Sequence, residues 1–167
     1  MRSRIEISLV FIVMLIITSG CGSTARTEAV GSPPPATDRM SDGSWSDDVL
    51  QGTWEGTAWR INSRGASRIL DRLEITCEPN GLLRVKREWQ TIEGAGGHKG
   101  RTPVMKDEED LIGVFDARTG RFRFVEMEEP GTMEGHLVDR DTIDLFSTQP
   151  GRQPSTSHAQ LQRQPAP

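Results

Sequence analysis

Short runs of alternating apolar and polar residues occupy the middle of this chain, between residues 52 and 148. Side chains along a β-strand point to opposite faces with a period of two, so each run predicts a strand with one buried face. Turn-forming residues such as Pro79, Asn80 and Gly81 separate the runs. No run shows the apolar period of an amphipathic helix. The runs cover residues 52–62, 69–78, 82–92, 110–116, 121–128, 132–139 and 142–148, and residues 102–106 are an additional short candidate.

Seven to eight sequential strands predict an all-β fold, a small antiparallel up-and-down barrel, with a β-sandwich as the alternative. Closure removes the strand edges at which chains aggregate. Gly56, Gly113 and Gly135 lie inside strands, where they indicate bends of a small barrel. Alternation predicts an inner face made of Leu83, Val85, Arg87 and Trp89; Leu111, Gly113 and Phe115; Phe122, Phe124 and Glu126; Met133, Gly135 and Leu137; and Ile143 and Leu145.

Segments of biased composition flank this predicted barrel domain, residues 47–148. Residues 21–46 are rich in Ser, Thr, Gly and Pro, which predicts a flexible N-terminal tether stiffened at Pro33 to Pro35. Residues 149–167 have a similar bias. They are either a disordered tail or, at 155–163, a weak closing strand.

The N-terminus has the layout of an export signal. Arg2 and Arg4 precede an apolar run at 9–17, which is shorter than the roughly 20 residues of a transmembrane helix. The following sequence, ITSGC, resembles the lipobox of bacterial lipoproteins, with Gly20 before Cys21. The resemblance implies a signal peptide at 1–20, cleavage between Gly20 and Cys21, and lipidation of Cys21. A secreted protein with an incidental cysteine is the alternative.

The lipoprotein resemblance also implies a location. A diacylated and N-acylated cysteine carries more than one chain and would anchor the protein stably to a membrane. Gly22 stands after the cysteine, where aspartate directs inner-membrane retention in Gram-negative lipoproteins. The expected site is therefore the outer membrane, with the domain facing the periplasm. The alternative is the outer face of a single cell membrane.

The sequence Gly52-Thr53-Trp54 resembles the G-x-W start of the calycin group, the lipocalins and avidins. This resemblance implies a barrel in which Trp54 plugs the closed end. It also implies a basic residue from the last strand packed over the indole, and Arg163 is that residue if 155–163 closes the barrel. Such a contact would be a cation–π interaction.

Trp54 and Trp59 are separated by an odd number of positions, which sends them to opposite faces of one strand. A bulge at Gly56 would shift the phase and turn both inward. Without a bulge, Trp59 points outward with Ile61. It is then a candidate contact for the tether, the tail or a partner.

Arg87 and Glu126 share the predicted inner face with apolar neighbours, although buried charges are costly unless paired. One interpretation is a candidate ligand pocket formed by Trp54, Arg87, Trp89 and Glu126. The alternatives are a structural ion pair or a bulge that turns one of the charges outward.

The glycine-rich loop 93–103 fails both phosphate-binding templates and is interpreted as a mobile hairpin loop. His98, Lys99 and Arg101 within it form a candidate partner loop.

The sequence gives no positive sign of nucleic-acid binding, thiol chemistry or metal binding. The formal net charge of −4 argues against a nucleic-acid partner. Cys77 lies in phase with Leu73 and Ile75, which predicts a small core residue rather than a reactive thiol. The three histidines lack metal-ligand spacing, so we predict neither a metal nor a cofactor.

The leading functional prediction is a lipid-anchored envelope protein. Its non-enzymatic β-barrel would bind a partner protein, an envelope component or a small apolar ligand. An envelope hydrolase that uses the Glu126 region and an inhibitor of a periplasmic enzyme are the alternatives.

Overall fold

Eight antiparallel strands close into a barrel in the computed structural model, which describes residues 39–99 and 101–166. Neighbouring strands of the barrel follow the order β1-β10-β9-β8-β7-β6-β3-β2, so the predicted up-and-down barrel is confirmed and the sandwich alternative is wrong. A small hairpin, β4–β5, lies between β3 and β6. The strands are β1 Gly52–Asn62, β2 Gly65–Glu78, β3 Leu82–Gly94, β4 Gly97–Lys99, β5 Thr102–Val104, β6 Lys106–Asp116, β7 Arg121–Glu126, β8 Thr132–Asp139, β9 Thr142–Gln149 and β10 Ser155–Arg163.

The alternation of each strand sets the interior, as predicted. Buried side chains recur at every second position of β2 and β3, and apolar residues from all eight barrel strands form one core. Two of the glycines that the sequence analysis placed inside strands pack against aromatic rings. A methyl group at Gly113 would overlap Phe124, and one at Gly135 would overlap Phe122, so only glycine admits these rings. The two phenylalanines stack with centroids 5.0 Å apart.

The last strand closes the barrel. Strand β10 pairs with β1 on one side and β9 on the other. Of the two alternatives for the C-terminal segment, the closing strand is therefore correct, and the barrel extends to Arg163 rather than ending at 148.

The end of the predicted tether belongs to the folded domain. Trp45 is buried in the core cluster, and its backbone N–H donates to the Ala117 carbonyl oxygen at 2.8 Å. The expectation of a free tether through residue 46 is therefore wrong at its end. The predicted signal peptide (1–20), Cys21 and the tether through residue 38 lie outside the described residues. Among the residues described, no helix is long and apolar enough to span a membrane.

Candidate functional site

A buried ionic network lies on the inner faces of β2, β3 and β6. Arg87 is 4% exposed and forms a bidentate salt bridge with Asp71. Its Nε donates to Oδ1 and its Nη2 donates to Oδ2, each at 2.8 Å. Its Nη1 donates to Glu109 Oε2 at 2.9 Å. Burial alone would lower the pKa of Arg87, but the charges of Asp71 and Glu109 outweigh it and raise the pKa. Arg87 thus forms a structural ion pair, which was one of the predicted alternatives. Its partners are Asp71 and Glu109 rather than Glu126.

A second buried arginine lies on an aromatic ring beside this network. The Arg60 guanidinium carbon is 4.3 Å from the centroid of the Trp89 ring, and Nη2 donates to Thr91 Oγ1 at 3.2 Å. Trp89 Nε1 donates to Glu109 Oε1 at 2.8 Å, so both oxygens of Glu109 are used. Burial, together with the nearby charge of Arg87, lowers the pKa of Arg60 to about 10. Arg60 therefore stays charged at neutral pH, stabilised by the indole face.

Glu126 is the carboxyl in this region without a partner. Glu126 is half-buried at the end of β7, and its backbone N–H donates to the Gly131 carbonyl oxygen at 3.1 Å. Its carboxyl makes no hydrogen bond or ion pair among residues 39–99 and 101–166. Burial, reinforced by the negative charge of Glu109, raises the pKa of Glu126 to about 7. The carboxyl also packs against Gly131, where a methyl group would overlap it. Glu126 is therefore largely protonated below neutral pH.

The hairpin β4–β5 covers the end of the barrel formed by the turns after β1, β3, β7 and β9, which we call the mouth. Gly97 packs so closely on Trp89 and Arg60 that a methyl group would lie 2.6 Å from the indole. His98 is 9% exposed, and its Nε2 donates to the Gln153 carbonyl oxygen at 2.7 Å. Its Nδ1 is buried without a hydrogen-bond partner. The hairpin therefore seals the mouth with the side chain of His98.

The cavity left inside the mouth measures about 20 Å³, room for about one water molecule. Arg87, Trp89 and Glu126 line it, as the pocket prediction expects, but Trp54 does not. Small-molecule sites usually measure about 300–1,000 Å³ and are largely apolar. The mouth therefore has neither the volume nor the apolar lining that a small apolar ligand needs.

Trp54 lies at the opposite, closed end of the barrel. It is 0% exposed, and its Nε1 donates to the Leu50 carbonyl oxygen at 2.9 Å. The Arg163 guanidinium carbon lies 4.2 Å from the centroid of the indole ring, so the predicted cation–π contact is present. The Nη1 of Arg163 also donates to the Gln51 carbonyl oxygen at 2.7 Å. This pair closes the barrel and takes no part in the mouth.

The predicted partner loop does not present all three of its residues to solvent. His98 points into the mouth, and Lys99 contacts Asp107 at 3.2 Å. Arg101 is exposed. The loop 93–103 is thus largely paired as a hairpin, and His98 is unavailable to a partner in this conformation.

The outer surface of β1, β10 and β9 carries an apolar and aromatic patch, which we call the aromatic face. Trp59 is 62% exposed, and its neighbour along β1, Ile61, is exposed as well. His158 lies directly opposite Trp59 on β10, and Phe146 lies opposite His158 on β9. The rings of Phe146 and His158 stack at 4.4 Å. Asp144 accepts a 2.5 Å hydrogen bond from His158 Nε2.

Gly56 hosts no bulge, which decides the orientation of Trp59. The pairing of β1 with β2 runs through Gly56 without a register shift, and Gly56 faces inward against Leu161. Trp59 therefore points outward by simple alternation.

A second exposed apolar set, Leu82, Ile112, Val114 and Val125, lies across β3, β6 and β7. Charged residues of the same strands, such as Arg84 and Asp110, interleave it. It therefore differs from the aromatic face, whose outward residues are mostly uncharged.

Sequence reasoning missed Arg60, Asp71 and Glu109. Arg60 and Asp71 lie in the inward phase of their strands, and this signal was available. Glu109 lies before the predicted start of its strand at residue 110, so its face was not assigned.

Cys77 is a free thiol that packs against the core, and burial raises its pKa. Within the described ranges, no group of three or more His, Cys, Asp or Glu residues is placed to hold a metal ion.

No protein-family model matches the chain, and no curated protein is detectably similar to it in sequence. Among solved structures, it is similar to EF1p2_mFAP2b bound to DFHBI, with a TM-score of 0.50 and 10% identity over 70% of this chain and 95% of that one. The redesigned β-barrel mFAP1 bound to DFHBI gives a TM-score of 0.47, 12% identity and coverage of 70% and 97%. The S-type phycobiliprotein lyase CPES from Guillardia theta gives a TM-score of 0.44 and 9% identity, over 72% of this chain and 92% of that one. At 10% identity, the likeness to EF1p2_mFAP2b concerns the fold alone, a small β-barrel.

Proposed function

We propose that this chain is a lipid-anchored protein of the bacterial cell envelope whose barrel is a non-enzymatic binding module. Its aromatic face would bind a partner protein. The anchor rests on the ITSGC sequence, in which Cys21 would carry the lipid. Its placement in the outer membrane, with the barrel in the periplasm, rests on Gly22 after that cysteine.

The observation that carries the binding proposal is the composition of the aromatic face. Trp59 and Ile61 on β1 and Phe146 on β9 are all more than half exposed, on the two strands that flank β10. The centres of protein interfaces are depleted of charge and enriched in aromatic residues, with tryptophan frequent among the residues that dominate affinity. The Asp144 carboxylate accepts a hydrogen bond from His158, so the polar groups at the centre of the face are hydrogen-bonded to each other.

The interior supports the other functional candidates less well. An apolar ligand would have to displace the hairpin and then enter a site lined by charges. Glu126 has a raised pKa, as general acids do, but burial and Glu109 account for it. A hydrolase would further need space for a substrate beside Glu126, and the cavity there holds about one water molecule.

Photo-crosslinking in living cells tests the binding face. A benzophenone amino acid at Trp59 or Phe146 should give the same discrete protein adduct, and Ile61→Asp should reduce it. Val114, which is 55% exposed on the second apolar set, is the matched control position and should give no such adduct. Equal adducts from position 114, or none from 59 and 146, would refute the proposal.

The anchor has a separate test. Metabolic labelling with palmitate should mark the wild-type protein, and Cys21→Ser should abolish the label. Unchanged labelling of the variant would show that Cys21 is not the lipidated residue. This result would leave the binding face untouched.

A further inference from the structure

Three polar groups that face the small cavity inside the mouth have no partner in the described part of the chain. The Nδ1 atom of His98 is buried without a hydrogen bond. The Glu126 carboxyl and the Ser147 hydroxyl make no hydrogen bond to another described residue. Ser147 is 8% exposed and lies in the inward phase of β9. All three residues line the same cavity of about 20 Å³, although buried polar groups are normally hydrogen-bonded.

The protonation of His98 defines what an occupant of the cavity must offer. Its Nε2 bonds to the Gln153 carbonyl oxygen, which can only accept, so Nε2 carries the proton of the neutral ring. Nδ1 is therefore an acceptor that needs a donor. Ionised Glu126 can only accept, whereas the Ser147 hydroxyl can donate. A water molecule donates two hydrogen bonds and accepts two, so it can satisfy all three groups at once.

We propose that this cavity is a binding site for one water molecule, which links His98 of the hairpin to Glu126 of β7 and Ser147 of β9. The volume fits, because a buried water needs about 10–15 Å³ and typically makes about three hydrogen bonds. The water donates to His98 Nδ1 and to the Glu126 carboxylate, and it accepts from the Ser147 hydroxyl. When Glu126 is protonated, its O–H donates to the water instead. This inference depends neither on the aromatic face nor on the lipid anchor.

The charges around the cavity favour a neutral occupant over an ion. Arg60 and Arg87 line the cavity together with Glu109 and Glu126. The two guanidinium groups would repel a cation, and the two carboxylates would repel an anion. An ion would also lose its hydration in so small a space. Both oxygens of Glu109 already accept hydrogen bonds, so this carboxylate is not free to bind a cation.

The water fastens the hairpin on a second side of the mouth. The hairpin β4–β5 forms a two-stranded sheet of its own. Near β1, Asn62 Nδ2 donates to the Gly96 carbonyl oxygen at 2.8 Å, and Arg64 Nη1 donates to the Gly97 carbonyl oxygen at 2.9 Å. Strand β7 lies opposite β1 in the order of the barrel. The bridge from His98 to Glu126 therefore holds the hairpin across the mouth, where the direct bonds near β1 do not reach.

Nuclear magnetic resonance of the isotope-labelled full-length protein in detergent micelles detects this water. At about pH 7.5, where an ordinary histidine is neutral, His98 should carry its proton on Nε2 and accept a hydrogen bond at Nδ1. Its ring proton between the two nitrogens should show a nuclear Overhauser contact with a long-lived water. Ser147→Val should fill the cavity and abolish this contact. Ser157→Val changes a buried serine that does not line the cavity, so this matched control should keep it.

Exchange of the His98 Nε2 proton with solvent measures how firmly the water holds the hairpin, because this proton is released when His98 leaves Gln153. Glu126→Met should speed the exchange about fivefold, as expected for the loss of one hydrogen bond. Glu126→Gln should not, because its amide can donate to the water or accept from it. Ser147→Ala, which adds no bulk, should also speed the exchange.

Three results would overturn the inference. They are a folded wild type without the water contact, a contact that persists in Ser147→Val, and an exchange rate in Glu126→Met equal to that of wild type. Thermal unfolding of each variant confirms that the barrel is folded during these measurements.

Discussion

Glu126→Gln should remove a pH dependence from the stability of this barrel. The Glu126 carboxyl is half-buried without a hydrogen bond from any other described residue, close to the negative charge of Glu109. Its ionised form is therefore disfavoured in the folded protein. Glutamine has nearly the same shape and cannot ionise, so the variant isolates the effect of the charge.

The sign and size of the effect follow from the two states of the chain. The folded protein holds the proton of Glu126 up to a pKa of about 7, whereas an ordinary glutamate releases it near 4.5. The free energy of unfolding should therefore fall as pH rises from about 4.5 to about 7. One pKa unit corresponds to about 1.4 kcal/mol, and partial solvent screening of this half-buried group reduces the expected loss to about 1–2 kcal/mol.

Urea denaturation at pH 5 and pH 8 measures this loss. Other groups also titrate, so the relevant quantity is the loss in wild type minus the loss in Glu126→Gln. Glu128→Gln removes an exposed carboxyl two residues away and is the matched control, which should behave as wild type. If wild type and Glu126→Gln lose the same stability between these pH values, Glu126 is solvated and the reasoning is wrong.

Two further predictions concern the buried arginines. Arg87→Met should lower the free energy of unfolding by about 3–5 kcal/mol, because it leaves the fully buried Asp71 unpaired. Adding Asp71→Asn should recover part of the loss in urea denaturation, and strictly additive losses would contradict a coupled pair. Arg163→Ala should cost about 2–3 kcal/mol, since it removes the cation–π contact and hydrogen bonds to backbone carbonyls. The intrinsic fluorescence of Trp54 should change in the same variant, and an unaltered spectrum with unaltered stability would show that the contact is incidental.

Much of the fold could be predicted because the signal of a strand is local. The alternation around Phe122 and Phe124 identifies the buried face without knowledge of the neighbouring strand. Trp54 and Arg163 could be paired only through the calycin resemblance, since 155–163 alone is too polar to predict a strand firmly. The outward position of Trp59 depended on whether Gly56 hosts a bulge, which alternation cannot decide.

The ionic network depends on register, which the sequence does not state. Arg87 was expected on the inner face, but its partner Asp71 lies on another strand, and only the pairing of β2 with β3 brings the two side chains together. A hairpin loop was predicted at 93–103, but its packing over the mouth was missed for a related reason. Glycine-rich sequence predicts a mobile loop, whereas His98 is fixed by a carbonyl oxygen far along the chain, at Gln153.

The closing strand has a consequence for how the chain acquires its structure during synthesis. Arg163 contacts Gln51 across 112 positions of sequence, so β1 lacks one neighbouring strand until β10 has been synthesised. Pairings of such high sequence separation form slowly. Until then Trp54 also lacks the guanidinium group of Arg163 over its ring. The barrel can therefore close only after β10 has been synthesised, and until then the edges of β1 and β9 are unpaired.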